Sequence, residues 1–167
     1  MTFDNKIGSL AKFYKTDKLE HGYTEIYEKY FENIKDQKLN ILEIGVADGG
    51  SLLMWSDYFK NSTIIGLDIH KINLKEKKLD RENIKVHQGS QSDKQFIDKI
   101  INIYGKFDII IDDGSHIRKD VIKSFHLLFP HLNNEGLYIV EDMQTSYNHF
   151  FGGNPFDLKY SNSHMNF

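Results

Sequence analysis

Residues 107–116 read Phe-Asp-Ile-Ile-Ile-Asp-Asp-Gly-Ser-His, an apolar run that opens into two carboxylates, a glycine, a hydroxyl and an imidazole. Residues 137–142, Leu-Tyr-Ile-Val-Glu-Asp, repeat the plan with a second acidic pair. Carboxylates held close together repel one another unless a cation sits between them. All-oxygen donors suit Mg²⁺ or Mn²⁺ rather than Zn²⁺. An imidazole beside such acids is a proton acceptor near neutral pH. Asp112, Asp113, Ser115 and His116 are therefore candidates for a site, with Glu141 and Asp142 arriving from a second strand.

These residues need strands to carry them. Ile109–Ile111 is apolar without alternation, the signature of a parallel strand covered on both faces. Ligands of open α/β sheets collect beyond the carboxyl ends of such strands. Similar strands are expected at 39–44, 62–67, 83–87 and 137–140, with helices between them at 51–59, 93–104 and 117–129. Segment 7–35 has helical spacing, broken by a loop around 15–22. Ser51 is expected to cap the helix after the first strand, and Ser115 the helix from Ile117. The expected whole is one α/β domain with a Rossmann-like, doubly wound, mostly parallel sheet. A helical N-terminal cap spans 1–38, the ligand-binding core 39–142 and an irregular tail 143–167.

Composition narrows the function classes. A net charge of −3 and a pI near 6.2 argue against general nucleic-acid binding. Lysine outnumbers arginine 19 to 2 and is interspersed with acids, as on a solvated surface. There is no cysteine, which excludes disulfides and thiolate metal sites. With no signal-peptide pattern and no apolar run approaching ~18 residues, neither export nor membrane insertion is expected and the cytoplasm is the default location.

The turn after the first strand, Gly45-Val-Ala-Asp48-Gly49-Gly50-Ser51, lets a ligand approach the backbone closely. Its spacing is not the G-x-G-x-x-G of dinucleotide sites. An acid ending the second strand, Asp68, suits a ribose diol. A loop acid such as Asp48 suits a ligand ammonium better than a phosphate. With Glu43 in the first strand and Gln88-Gly-Ser-Gln91 after the third, these features favour an adenosyl amino acid over NAD.

In these motifs the chain resembles the class I S-adenosylmethionine-dependent methyltransferases, and more narrowly the metal-dependent sugar O-methyltransferases of the macrocin and mycinamicin type. The resemblance rests on Lys15-Thr-Asp-Lys18 with His21-Gly-Tyr23, Ile41–Val46, Ser51–Phe59, Gly66–Ile69, Gln88–Asp93, Phe107–His116, Leu128–Pro130 and Gly136–Tyr147. It implies that Asp113, Glu141 and Asp142 hold a divalent cation, Mg²⁺ with Mn²⁺ as the alternative, and that His116 is the catalytic base. It also implies cofactor contacts from Thr16, Tyr23, Glu43, Gly45, Asp48, Gly49, Ser51, Asp68, Gln91, Ser92 and Asp112. The implied acceptor is a small molecule or glycan with vicinal hydroxyls. His21, His149 and His164 are candidate acceptor contacts.

The chain departs from that family in two places. Lys15 stands where the family has a glycine, so a left-handed backbone there would be strained. Only residues 143–167 follow the second acidic pair, too few for the antiparallel strands that complete such sheets. The last strand is then an edge, to be covered by the tail or by a second copy of the chain. Two other functions fit the same sequence: a methyltransferase-fold protein that is non-catalytic or needs a partner, and an NAD-dependent oxidoreductase, which the glycine spacing disfavours.

Overall fold

The computed structural model describes residues 6–152. Five parallel strands form one sheet: β1 (Asn40–Ile44), β2 (Thr63–Asp68), β3 (Ile84–Gln88), β4 (Phe107–Asp112) and β5 (Leu132–Val140), in the order β3-β2-β1-β4-β5. The helices are α1 (Lys6–Tyr14), α2 (Tyr23–Phe31), α3 (Gly50–Tyr58), α4 (Lys94–Tyr104) and α5 (Arg118–Leu128). Short 3-10 turns follow at Phe129–His131, Met143–Tyr147 and His149–Phe151. The order reverses between β1 and β4, which makes the crevice beyond their carboxyl ends the natural ligand position. No helix among the described residues is long and apolar enough to cross a membrane.

Strand alternation decides what each side chain can reach. Successive strand residues point to opposite faces, so Ile41, Ile64, Ile109 and Ile111 pack against Ile7, Phe31, Trp55 and Phe59 on the α1–α3 side. Leu42, Ile44, Ile65, Leu67 and Ile110 pack with Ile97, Ile100 and Leu128 on the α4–α5 side. The same alternation sends Glu43 towards the α1–α3 layer and Asp112 towards α5.

Three sequence expectations are corrected. Ser51 does not cap α3: Gly49, with φ of 79°, precedes the helix, and the Ser51 hydroxyl instead donates to Glu43 Oε2 at 2.9 Å. Asp93, by contrast, caps α4 by accepting from the Gln95 amide at 2.9 Å. β5 begins at Leu132, not 137. Its polar first half, Asn133-Asn-Glu-Gly136, hides the strand, and the register shifts there between Phe107↔Leu132 and Ile109↔Leu137. Ser115 is not the residue that flanks α5, which is Ile117, but its hydroxyl accepts from the Ile117 amide at 3.2 Å. The expected tail falls partly at 153–167, outside the described residues, as does His164.

Candidate active site

A cleft of about 680 Å³ opens above the carboxyl ends of β1, β2 and β4. One wall is the glycine turn. Gly45 has φ of 92°, and a Cβ there would lie 2.0 Å from the Asp113 carbonyl oxygen, so no larger residue fits without moving the β4 loop. Asp68 holds this turn in shape: its Oδ2 accepts from the amides of Val46 at 2.9 Å and Ala47 at 3.1 Å, and its Oδ1 accepts from His70 at 2.7 Å. Asp48 projects into solvent, its side chain 92% exposed and ion-paired with Lys77. That pairing holds its carboxyl below the usual range. Against this turn lies the loop after α1, which lines the cleft with Lys15, Thr16 and Asp17. This loop ends α1 with the Thr16 amide donating to the Ala11 carbonyl at 3.1 Å, an arrangement that needs a left-handed residue between them. Lys15 fills it with φ of 56°, a conformation that costs a non-glycine residue roughly 1–2 kcal/mol.

At one end of the cleft stand Asp113, His116 and Asp142, whose potential ligand atoms all lie within 4.8 Å of one another. His116 Nε2 is 3.8 Å from Asp113 Oδ1 and 3.8 Å from Asp142 Oδ2. Both His116 (φ 55°) and Asp142 (φ 54°) have left-handed backbones. Backbone strain of that kind concentrates at functional sites. Burial opposes ionisation of Asp142, but hydrogen bonds from Gln144 and Tyr23 and the nearby His116 and His21 together hold its carboxyl below the ordinary value.

Glu141 takes a different direction. Just past β5, its Oε1 accepts from Lys18 Nζ at 2.7 Å and from the Tyr27 hydroxyl of α2. Burial raises its carboxyl to about 7 against the opposing pull of Lys18. Lys18 is 1% exposed. Its ammonium also meets Asp113 Oδ2 at 2.7 Å and lies 3.2 Å from Glu43 Oε1, an oxygen with no hydrogen bond of its own. Desolvation alone would lower the Lys18 pKa; the charges of Glu43, Glu141 and Asp113 override it and raise it. Tyr23, four residues before Tyr27 on the same helix face, donates to Asp142 Oδ1 at 2.8 Å and accepts from the Asp142 amide at 3.1 Å.

The residues expected to contact cofactor therefore divide. Thr16, Gly45, Asp48, Ser51, Asp68 and Gln91 line the cleft. Glu43, Tyr23 and Asp112 do not: Glu43 is buried beneath Ser51 and Lys18, and Tyr23 is engaged with Asp142. Asp112 faces α5, accepting from Ser124 at 2.5 Å and from Gln91 Nε2 at 3.0 Å, and burial pushes its carboxyl up to about 6 despite these bonds. Gly49 also lies outside the cleft, pressed on Leu79, where a Cβ would come within 2.7 Å of Cδ1. Ser92 lies outside it as well and pairs with Ser90 at 3.2 Å. Gln91 reaches the cleft with its amide already committed, its Oε1 accepting from the Ser115 amide at 2.8 Å. His21 Nδ1 sits 3.8 Å from Asp142 Oδ1 at the rim, whereas His149 is exposed on the last 3-10 turn.

Sequence reasoning gave Lys18 no role, although three buried or half-buried acids need a cation. The signal was masked because Lys18 is one of 19 lysines. The Tyr27 ring packs in the core, and its hydroxyl clamps Glu141.

Known proteins resemble this chain in sequence and fold. Mycinamicin VI 2''-O-methyltransferase of Micromonospora griseorubida is 42% identical over 156 residues, which cover 88% of this chain and 38% of that protein. Demethylmacrocin O-methyltransferase of Streptomyces fradiae is 39% identical over 140 residues, 80% of this chain and 34% of that protein. The crystal structure of the MycE methyltransferase from the mycinamycin biosynthetic pathway, in complex with Mg and SAH, superposes with a TM-score of 0.89 at 39% identity, over 96% of this chain and 43% of that one. The chain thus spans about two fifths of the length of these relatives. The family model for FtsJ-like methyltransferases matches residues 18–150, from the buried lysine to the last 3-10 turn, and the chain belongs to that family.

Proposed function

We propose that this chain catalyses S-adenosylmethionine-dependent methylation of a sugar hydroxyl, assisted by a divalent cation, on a glycan, a nucleotide-sugar or a glycosylated natural product. The observation that carries the reading is the position of His116 between Asp113 and Asp142 at the end of a cleft whose far wall presents Asp68. The names of the relatives and the Mg and SAH in the MycE crystals support it.

The residues fit the groups the reading requires. Asp113 and Asp142 offer oxygens to a cation, with Glu141 joined to Asp113 through Lys18; Mg²⁺ suits such donors, and Mn²⁺ shares the preference. Once bound, S-adenosylmethionine supplies an electrophilic methyl carbon and the cation lowers the pKa of the acceptor hydroxyl. Asp68 would hold the ribose hydroxyls, and the Gly45 turn would let the cofactor lie close to the protein backbone. His116 Nε2 would accept the hydroxyl proton as the hydroxyl oxygen displaces the sulfur from the methyl carbon, with S-adenosylhomocysteine as the leaving group. Asp142, fixed by Tyr23, keeps that imidazole aimed at the cleft.

The same reading assigns 1–38 to a helical cap, 39–142 to the cofactor-binding core and 143–167 to a tail, and sets the protein in the cytoplasm. β5 pairs only with β4 among the described residues, which supports self-association along that edge. The acceptor chemistry gives nucleic acid no part.

The test is methyl transfer from isotopically labelled S-adenosylmethionine to a panel of glycosylated macrolides and nucleotide-sugars. Transfer is expected with Mg²⁺ and is lost in EDTA. His116→Ala should lower the rate by about 10²–10⁴-fold with cofactor affinity unchanged. Full activity of that variant, or indifference to chelation, overturns the assignment.

A further inference from the structure

The cleft is strongly one-sided in charge. Asp17, Asp48, Asp68, Asp113, Asp120 and Asp142 line it, and Lys15 is the one lysine or arginine among its lining residues. Asp48 is neutralised locally by Lys77. Lys15 is paired with no carboxylate among the described residues and is exposed. Its backbone position is one that glycine fills best, because the cap of α1 demands a left-handed residue there. A long cationic side chain therefore sits at a position that disfavours every side chain, facing a cleft whose other nearby ammoniums, Lys18 and Lys77, are already paired with Asp113 and Asp48.

The loop that carries Lys15 lies against the glycine turn. A Cβ on Gly50 would come within 2.8 Å of the Tyr14 carbonyl oxygen and 3.6 Å of the Thr16 amide. The side of the cleft bounded by Lys15 and Thr16 is thus also bounded by the start of α3, while Asp68 and His70 mark the ribose side. A ligand laid along this cleft with its ribose at Asp68 and its sulfur towards His116 puts its amino-acid moiety by the Gly45 turn and the Lys15 loop. Such a moiety carries one carboxylate, which needs a cation, and one ammonium, for which acids abound.

From this we infer that Lys15 is a cofactor-positioning residue that binds the carboxylate of the cofactor's amino-acid moiety. The inference rests on the methyltransferase reading above and deepens it. Lys15 fixes the far end of the cofactor, and so the direction of the sulfur, without touching the reacting atoms.

The experiment is calorimetric titration of the 167-residue chain and its Lys15→Met and Lys15→Gly variants with two ligands. S-adenosylhomocysteine has the amino-acid moiety; 5'-methylthioadenosine has the same nucleoside and thioether sulfur but no carboxylate. Wild type should bind both, and both variants should lose about tenfold in affinity for S-adenosylhomocysteine, the effect of one charge-assisted contact. Affinity for 5'-methylthioadenosine should be unchanged, and Lys15→Arg should retain most of the wild-type preference. Variants that bind S-adenosylhomocysteine as wild type does, or that weaken equally for both ligands, overturn the assignment. Wild-type chain that binds neither ligand overturns the methyltransferase reading itself, and the assignment with it. Lys15→Gly relieves the backbone, so loss of fold does not confuse the result.

Discussion

Removal of the Lys18 ammonium would leave Glu43 and Glu141 without their counter-charge where water does not reach, with Asp113 facing them. Breaking a buried ion pair from one side typically costs about 3–5 kcal/mol. Lys18→Met is therefore expected to destabilise the protein on that scale in chemical denaturation, and adding Glu43→Gln should restore part of the loss, because the buried charge then has less to answer for. A single variant with near wild-type stability would show that the carboxylates simply take up protons. At this scale the sequence displayed the acids but not their counter-charge. Asp113 and Asp142 follow strand ends and are visible as motifs, whereas Lys18 sits in an irregular loop 95 positions from Asp113. Only the fold brings the two together.

Among elements, strand alternation explains most of what the sequence left open. A pair such as Asp112-Asp113 reads as one acidic feature, yet a strand residue and its successor face opposite ways. One carboxylate is thereby committed to Ser124 and Gln91 under α5 and the other to the cleft. The strands and helices themselves were legible because their apolar periodicity is strong; the first half of β5 was not, since Asn133-Asn-Glu-Gly136 carries no apolar pattern. β3 offers a test of how the sheet responds to pH. His87 on this strand meets the Tyr104 hydroxyl at 2.7 Å across to α4, and burial lowers its pKa. The unfolded chain then binds a proton there more readily than the folded one, so stability falls as pH drops through the ordinary histidine range. In urea titrations between pH 8 and pH 5, His87→Gln should lose less stability than wild type. An identical pH slope for the two proteins would rule out His87 as a contributor.

At the scale of the whole molecule, the cleft is lined by the loop after α1 and by the turns that follow β1, β2, β3, β4 and β5. A ligand that bridges these segments should report on the entire domain. S-adenosylhomocysteine with Mg²⁺ at 100 times its dissociation constant would stabilise the fold by ~2.7 kcal/mol. For a chain of this size that corresponds to a rise in Tm of about 5–10 °C, measurable by calorimetry; no shift at saturating ligand would count against the site.

The clamps on the acidic centre join residues far apart in the chain: Lys18 to Glu141 across 123 positions, Tyr23 to Asp142 across 119, and Tyr27 to Glu141 across 114. Contacts of such long range form late, after the closure of the intervening loop has been overcome. A nascent chain leaving the ribosome thus exposes α2 and its two tyrosines long before their carboxylate partners have been synthesised. The acidic centre is complete only when β5 docks, and a chain interrupted before Glu141 keeps Asp113 and His116 but lacks the two carboxylates that the α2 tyrosines hold.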